Sequence, residues 1–221
     1  MTDAAPDDRT LDELRAALAP AIARNAAFDG WGAMACEAAA AELGIPPARA
    51  ALAFPKGAVD MIDAWFAHVD RAMADALPPA RLAAMKMRDR ITALILARLD
   101  TIAPEREALR RALSVLLLPQ NAARAARFSW RAADRMWRLA GDGATDVNHY
   151  TKRATLAGVY AATLLAFLDD GSEDFAETRA FLACRIDGVM RFERLKASLR
   201  PDPDRHFSPA RFLGRLRYRA R

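Results

Sequence analysis

The sequence contains few of the side chains from which catalytic and metal centres are usually built. Its 221 residues include three histidines, at positions 68, 149 and 206, and two cysteines. It has no Glu-x-x-His pair for a di-iron carboxylate site in a helix bundle, no phosphate-binding loop and no Gly-x-Gly-x-x-Gly or Gly-x-Ser-x-Gly sequence. These absences favour a binding protein over an enzyme.

The cysteine content indicates a reducing compartment. Cys36 and Cys184 are too few and too far apart in the sequence for a disulfide framework or a cysteine-rich zinc site. We expect both to be small buried hydrophobic residues, because free cysteine is among the most buried residue types, although either could be a reactive thiol.

The sequence also lacks a long apolar run. The longest uncharged run, 154–168, has 15 residues, whereas a helix needs roughly 20 to cross a bilayer. This run therefore predicts a buried core helix. The opening residues, MTDAAPDDRTLDE, are acidic and lack the basic and apolar parts of a signal peptide, so we expect a cytoplasmic protein.

Positive charge is scarce in the first part of the chain. Residues 1–80 contain 6 Lys/Arg and 12 Asp/Glu, a balance of −6, whereas residues 81–221 contain 27 and 16, a balance of +11. Residues 205–221 contain six arginines and no acid. The two parts of the chain are therefore expected to face different electrostatic surroundings.

Glycine and proline interrupt segments whose apolar residues recur at helical spacing, with little strand-like alternation. We therefore predict an all-α protein of nine or ten helices. Thr10 and Glu13 form a capping-box pair at the start of the first helix, which Pro20 should kink or end. The later helices are expected at 31–43, 46–54, 57–77, 80–101, 104–118, 120–139, 145–169, 174–197 and from Ser208 onward.

The stretch AGDGATDVNHYTKRATLAGVY, at 140–160, concentrates polar side chains just before the uncharged run. The Gly141-Asp142-Gly143 turn can end the preceding helix, and Thr145 can cap the next one. Asp146 would then lie in the first turn, where a negative charge suits the positive end of the helix dipole. Helix initiation thus explains half of the polar cluster.

The rest of the cluster suits a protein interface. Asp146, Tyr150 and Arg153 are spaced at i, i+4 and i+7, on one helix face, and Asp134 and Trp137 lie at the end of the helix before. Tyrosine, tryptophan and arginine are favoured anchors in interfaces. The alternative is helix capping combined with surface ion pairs.

Several stretches carry a family resemblance. FDGW, ELGI, AFPKGAVDMIDAWF, RITALILARLD, LPQNAARA, ADRMWRLAGDGATDVNHYTKRATLAGVYAATLLAFLDD and TRAFLACRID occur in this order. Together they resemble the Coq-nine family of ubiquinone-biosynthesis accessory proteins. The resemblance covers about residues 10–195, and the 133–160 block is its most specific part.

The resemblance implies a fold and a function. The fold would be a tetracycline-repressor-like all-α homodimer, with a helix-turn-helix-like region at 1–78 and a ligand-holding helical domain at 79–200. The protein would be non-enzymatic and would need no cofactor. It would bind an isoprenoid or quinone lipid and present a quinone precursor to the di-iron demethoxyubiquinone hydroxylase.

The resemblance also places the hydroxylase on the 133–160 block. His149 departs from the family, whose usual residue there is Trp, and the imidazole would bury less apolar area in such a contact. The residues carried over for hydroxylase binding are Asp134, Met136, Trp137, Asp146, Tyr150 and Arg153.

The second half of the chain has more apolar side chains than its helices need for pairing, which fits an apolar pocket between bundle helices. Taken singly, each of these side chains is more often part of the ordinary core than of a pocket lining. The residues expected to bind lipid are Leu113, Leu116, Leu117, Phe128, Trp130, Leu156, Tyr160, Leu164, Phe167 and Phe181.

The end of the sequence, 205–221, predicts a basic amphipathic helix that binds an anionic membrane surface. Ser208 is a good N-cap, and Pro209 suits the first helical position. We therefore expect the protein on the inner face of the cytoplasmic membrane. A helix packed on the protein and a disordered basic tail are the alternatives. The residues expected to bind the membrane are Arg211, Phe212, Leu213, Arg215, Leu216 and Arg219.

Two other function classes fit the sequence less well. A tetracycline-repressor-like transcriptional regulator needs Lys and Arg to neutralise phosphates, but the N-terminal region is acidic, and its IPPARAALAF segment offers DNA bases only Arg49. We therefore expect no nucleic-acid binding. An enzyme with an unrecognised site would have to use acids that are more often simply exposed to solvent: Glu37, Glu42, Asp60 and Asp63.

Overall fold

The fold is helical throughout the residues that the structure describes. The computed structural model describes residues 8–142 and 147–198, and within them there is no β-strand. The all-α prediction is confirmed. The α-helices are α1 (Leu11–Asp29), α2 (Ala33–Glu42), α3 (Pro47–Ala53), α4 (Ala58–Ala76), α5 (Pro79–Ala83), α6 (Met87–Ile102), α7 (Arg106–Leu116), α8 (Ala122–Leu139), α9 (Val147–Asp169) and α10 (Ala176–Ser198).

The first helix begins as predicted but continues through its proline. The Thr10 hydroxyl accepts a hydrogen bond from Glu13 N at 3.3 Å, and Glu13 Oε2 accepts one from Thr10 N at 2.7 Å, so the capping box is present. Pro20 does not end the helix, which runs on to Asp29. Residues on both sides of Pro20 are fully buried, and this packing offsets the lost backbone hydrogen bond.

The N-terminal helices are anchored on the rest of the molecule. Helix α1 packs against α2, α3, α4 and α7. The buried Trp31, just before α2, donates its indole N–H to the Ala108 carbonyl of α7 at 2.9 Å. Its ring also lies 5.4 Å from the ring of Trp65 in α4. Long-range contacts therefore tie the first four helices to those that follow.

The single helix predicted at 80–101 is wrong, because the chain forms two helices there. Helix α5 ends at Ala83, and α6 begins at Met87. Arg90 spans the break: its Nε donates to Met85 O at 2.9 Å and its Nη2 to Ala83 O at 3.2 Å. These bonds satisfy carbonyls that the end of α5 leaves open, as basic side chains near a helix C-terminus do.

Asp170 organises the connection between α9 and α10. Its buried carboxylate accepts hydrogen bonds from the backbone N–H and the hydroxyl of both Ser172 and Thr178, at 2.5–2.8 Å. Burial would raise the pKa of Asp170, but these four bonds hold it well below its ordinary value. The turn therefore depends on an ionised carboxylate.

One cysteine departs from the expectation that both are buried. Cys36 is buried, and burial, followed by the nearby Glu37 charge, raises the pKa of its thiol. Cys184 is exposed. It lies midway between the buried Leu182 and Ile186 on α10, and a helical position two residues from a buried one points to the opposite face.

Backbone contacts divide the chain into a unit of residues Met1–Ala183 and a second unit of residues Cys184–Arg221. The division at residue 78 stays a prediction, and the basic segment 205–221 lies outside the described residues. Among the described helices, none combines the length and the apolar character that crossing a membrane requires.

Candidate functional site

An apolar cavity of about 210 Å³ opens among α7, α8 and α9. Each helix contributes residues three or four positions apart, which lie on one helix face. Six of the predicted lipid-binding residues line the cavity: Leu113, Leu116, Leu117, Phe128, Tyr160 and Leu164. Six lining residues were not predicted: Phe66, Arg98, Ala125, Ser129, Ala161 and Leu165.

The other four predicted lipid-binding residues do not line this cavity. Trp130 stacks on Tyr150 instead, with ring centroids 6.0 Å apart. Phe167 is fully buried and packs at 4.7 Å from Phe175, at the turn into α10. Leu156 is buried and Phe181 half-buried. Apolar composition identified these side chains, but only tertiary packing separates cavity walls from core.

One side of the cavity is polar. The Arg98 side chain, 2% exposed, donates from Nε to the Tyr160 hydroxyl at 2.9 Å and from Nη1 to Asp70. Its guanidinium carbon also lies 5.0 Å from the centre of the Tyr160 ring. Burial would lower the pKa of Arg98, but Tyr160 and Asp70 raise it above its ordinary value. A charged group therefore remains ionised beside an apolar cavity.

The sequence does hold a signal for Arg98. Helix α6 buries Ile91, Leu94, Ile95, Leu99 and Ile102, and position 98 falls on this apolar face. A lone arginine on the buried face of a helix needs a partner and is therefore a candidate functional residue. The partner, Asp70, lies on α4, too far away in the sequence to be paired by spacing.

The 133–160 block forms an ion-pair cluster around Arg153. Its Nε lies 2.6 Å from Asp134 Oδ1, and its Nη1 lies 3.4 Å from Asp142 Oδ2 and 3.2 Å from the His149 carbonyl. Lys152 Nζ lies 2.6 Å from Asp142 Oδ1. The cluster, Asp134, Asp142, Lys152 and Arg153, joins the end of α8 to the start of α9.

These contacts lower the pKa of both carboxylates. Burial would raise the pKa of Asp134, but the hydrogen bond from Arg153 and the charge of Arg138 lower it below its ordinary value. Burial would also raise the pKa of Asp142. The hydrogen bond and the charge of Lys152 lower it instead, and Arg153 lowers it further. Both acids are thus held in the ionised form.

Two residues predicted for hydroxylase binding are inside the protein. Arg153 is 2% exposed, and Met136 is fully buried. The expectation that Arg153 shares an exposed face with Tyr150 is wrong, because the guanidinium turns toward the two acids of α8 and the following turn. Thr145 and Asp146, the predicted cap and first-turn acid, lie outside the described residues.

Aromatic rings lie at and next to the surface of this block. Tyr150 is 64% exposed, stacks on Trp130 and has its ring centroid 5.2 Å from that of His149. Trp137 is half-buried and donates its indole N–H to the Lys152 carbonyl at 3.1 Å. We name Trp130, Trp137, His149 and Tyr150 the aromatic patch. It borders the ion-pair cluster through Trp137.

Three of the four acids considered for an unrecognised enzyme have structural partners. Asp60 accepts from Lys56 N at 2.8 Å, and Asp63 lies 2.5 Å from Arg131. The Glu42 carboxylate accepts from Arg24 and Asn25. A second cleft, of about 280 Å³, is lined by Asp60 and Asp63 together with other acidic and basic side chains. Among the described residues, no group of three or more His, Cys, Asp or Glu is arranged to hold a metal.

Comparison with known proteins points to one family. Residues 122–193 match the family model described as COQ9. The "Ubiquinone biosynthesis protein COQ9, mitochondrial" of Rattus norvegicus is 35% identical over 167 residues, which are 73% of this chain and 54% of that protein. The Homo sapiens protein of the same name is 42% identical over 93 residues, 42% of this chain and 29% of that protein. The chain thus spans about half the length of the curated relatives it matches, or less.

The fold is also found in a solved structure. The crystal structure of the TetR transcriptional regulator from Nitrosomonas europaea ATCC 19718 matches with a TM-score of 0.65 and 24% sequence identity, over 80% of this chain and 98% of that one. At this identity the likeness concerns the fold alone. It confirms the predicted repressor-like architecture. The family model and the curated relatives match this chain to the COQ9 family.

Proposed function

We propose that this protein is a non-enzymatic accessory protein of ubiquinone biosynthesis that binds an isoprenoid or quinone lipid in the cavity among α7, α8 and α9. The observation that carries the proposal is the cavity itself. Two of its three main helices, α8 and α9, lie in the residues that match the COQ9 family model. The relatives are named for ubiquinone biosynthesis, whose intermediates are long-chain lipids.

The size of the cavity limits what it encloses. Drug-sized ligands occupy pockets of roughly 300–1,000 Å³, and an apolar cavity of roughly 150 Å³ binds benzene. A cavity of about 210 Å³ therefore encloses one substituted ring or the end of a chain. The remainder of a long isoprenoid would run over Leu117 and Leu165, which line the cavity and are 77% and 58% exposed.

The presenting role assigns the aromatic patch to the hydroxylase. Tyr150 offers a large exposed ring that stacks on Trp130. Trp137 and Asp134, near the end of α8, are half-buried. Arg153 and Met136 would act from beneath, by holding α8 and α9 in place. Aromatic residues that are supported from below and exposed on one face are typical interface anchors.

We further propose that the protein forms a homodimer and that residues 205–221 attach it to a membrane. Its location would be the inner face of the cytoplasmic membrane. Six arginines in this segment favour an anionic lipid surface. The relatives are named mitochondrial, so in a cell with mitochondria the corresponding surface would be a mitochondrial membrane.

A transcriptional regulator is the alternative, since the matching crystal structure belongs to that class. The helix in the place of a DNA-reading helix, α3, has seven residues, and its single arginine, Arg49, donates to the Arg9 carbonyl at 2.7 Å. The large exposed side chain of α3 is Leu52. An apolar surface without free basic groups does not suit phosphates or base edges.

The proposal is tested by filling the cavity. Leu164→Trp places an indole where a buried leucine lines the cavity. We expect the purified full chain to carry an extractable isoprenoid lipid, detected by mass spectrometry, and the variant to lose it while melting only a few degrees lower, since overpacking costs about 1–3 kcal/mol.

The matched control is Leu52→Trp, the same change at an exposed leucine far from the cavity. It should leave both the lipid content and the melting temperature unchanged. If the parent protein carries no lipid and takes up no added isoprenoid, or if Leu164→Trp retains as much lipid as Leu52→Trp, the proposed binding site is wrong.

A further inference from the structure

The second cleft, of about 280 Å³, lies among α1, α4 and α8 and shares no lining residue with the apolar cavity. We name it the bipolar cleft, because three aspartates and three arginines line it and their formal charges cancel. The charged lining residues are Asp12, Asp60, Asp63, Arg15, Arg71 and Arg131. Binding sites are complementary to their ligands in charge. A cleft with both charges in equal number therefore suits a ligand that carries both.

One ion pair of the bipolar cleft is incompletely satisfied. Arg131 Nη1 lies 2.5 Å from Asp63 Oδ1, but without hydrogen-bond geometry. Among the described residues, Asp63 Oδ1 and Arg131 Nη2 are two of three buried side-chain atoms that lack a hydrogen-bond partner. Buried polar atoms almost always have one. A ligand cation on Asp63 and a ligand anion on Arg131 would satisfy both.

This ion pair can open toward a ligand at little cost. The side chains of Arg131 and Asp63 are 40% and 42% exposed, and exposed ion pairs contribute only about 0–1 kcal/mol. Hydrogen bonds between ionised groups are stronger than bonds between neutral ones. Exchanging a poorly oriented pair for two well-oriented ones, each with a ligand charge, would therefore be favourable.

Two further charges lie at the ends of one face of α4. Asp60 accepts from Lys56 N with Oδ2 and has no ion pair among the described residues. Arg71 is exposed and has neither an ion pair nor a hydrogen bond within the described part of the chain. Their Cα atoms are about 16 Å apart along the helix axis, and an arginine side chain on a helix leans toward the N-terminus. The poles of the ligand would thus lie several ångströms apart.

Small apolar side chains complete the cleft. Ala64 and Ala67 lie on the same face of α4, between Asp60 and Arg71, and α1 contributes Ala16. Methyl groups suit a short run of methylenes, which gains by leaving water. The anion is best a carboxylate, because the arginine fork matches it. A phosphate monoester would add a second negative charge that the balanced cleft does not compensate.

We propose that the bipolar cleft binds an ω-amino carboxylate, with its ammonium on Asp60 and Asp63, its carboxylate on Arg71 and Arg131, and its methylenes over the alanines. A lysine at the C-terminus of a polypeptide and a free ω-amino acid share this chemistry. The inference goes beyond the proposed function and does not depend on it, because the two sites have no lining residue in common.

The test titrates the full-length protein with 6-aminohexanoate in a calorimeter at low salt. The parent should bind it. Hexylamine and hexanoate each lack one pole, so each should bind at least about tenfold more weakly, since a charged hydrogen bond is lost. Added salt should weaken the binding of 6-aminohexanoate, because it screens exposed charges.

Variants locate the site. Arg71→Gln removes a guanidinium without a described partner, so it should fold normally and bind 6-aminohexanoate about tenfold more weakly. Asp60→Asn, which keeps an acceptor for Lys56 N, should do the same. Arg135→Gln, at an exposed arginine of α8 outside the cleft, should bind like the parent. So should Leu164→Trp, which fills the apolar cavity, and this result separates the inference from lipid binding.

A peptide that ends in lysine distinguishes the two sources. If it binds more tightly than 6-aminohexanoate, the ligand is the end of a polypeptide, and if it binds more weakly, the ligand is a small amino acid. The same peptide with an amidated C-terminus should not bind. The inference is overturned if neither ω-amino carboxylate binds at millimolar concentration, or if hexylamine or hexanoate binds as tightly. Folded Arg71→Gln and Asp60→Asn proteins that bind like the parent would also overturn it.

Discussion

At the scale of single residues, Arg153 illustrates what sequence spacing leaves open. Its distance from Tyr150 fits one helix face, and the residue type fits an interface. The structure instead buries the guanidinium between Asp134 and Asp142. The choice between these positions depends on where the end of α8 and the following turn bring their acids. That placement is tertiary, and sequence periodicity does not encode it.

The ion-pair cluster gives a prediction for stability. Arg153→Glu should lower the free energy of unfolding by about 3 kcal/mol or more, because breaking a buried pair leaves uncompensated charge and adds a third carboxylate beside two that are held ionised. Urea denaturation measures the loss. Arg135→Glu, an exposed change on the same helix α8, should stay within about 0.5 kcal/mol of the parent. Equal stability of the two variants would contradict the structural role of Arg153.

At the scale of helices, the sequence predicted types well and boundaries less well. Capping chemistry placed the start of α1, and Gly141, at φ 89°, ends α8 where the sequence predicts. Pro20 was expected to kink or end α1 and does not end it, because the rule for proline describes an isolated helix, whereas α1 is held by packing on both sides. The break between α5 and α6 was missed because a long-range contact helps to hold it. Arg90, which spans the break, also donates to the distant Ala140 carbonyl at 2.7 Å.

The turn between α9 and α10 gives a prediction for pH. The pKa of Asp170 is lowered on folding, so the stability that its ionised form supplies is complete above its unfolded pKa, about 3.9, and is lost as the pH falls toward the folded value. Asp170→Asn should therefore be less stable than the parent at pH 7, by about 2 kcal/mol for lost charged hydrogen bonds. The difference should shrink steadily below pH 4.

Chemical denaturation at pH 7, 5, 4 and 3 measures this difference. The matched control is Asp169→Asn, which removes the neighbouring exposed carboxylate, 3.4 Å from Arg110. Exposed pairs contribute about 0–1 kcal/mol, so the control should differ little from the parent at any pH. A constant difference for Asp170→Asn from pH 7 to pH 3 would mean that its carboxylate is not the stabilising group.

At the scale of the whole molecule, a repressor-like scaffold has an acidic N-terminal part and an apolar cavity in its later helices. The DNA-facing chemistry is missing from α3, where Arg49 bonds to the protein itself. The cavity was half predictable. Composition gave four of its leucines and two of its aromatic rings, but not Arg98 or Ser129, which become lining residues only when α4, α6, α8 and α9 pack. The proposed function thus assigns binding and stability to different parts of one fold.

That separation can be measured on the aromatic patch. Tyr150→Ala removes a ring that is 64% exposed. This ring stacks on Trp130 and meets His149 edge to face. Stability should fall by no more than about 1 kcal/mol, the value of an aromatic pair. Binding to the demethoxyubiquinone hydroxylase, measured by calorimetry, should weaken by about 2 kcal/mol or more, the size of an interface hot spot.

Leu52→Ala, which truncates an equally exposed apolar side chain on α3, should affect neither property. His149→Trp supplies the reverse change, because it restores the indole usual in the family beside Tyr150 and enlarges the apolar area that a partner can bury. The complex should become tighter. If Tyr150→Ala binds the hydroxylase like the parent while the fold is intact, the hydroxylase docks elsewhere. A weaker complex for His149→Trp would instead mean that the partner's surface is fitted to the imidazole.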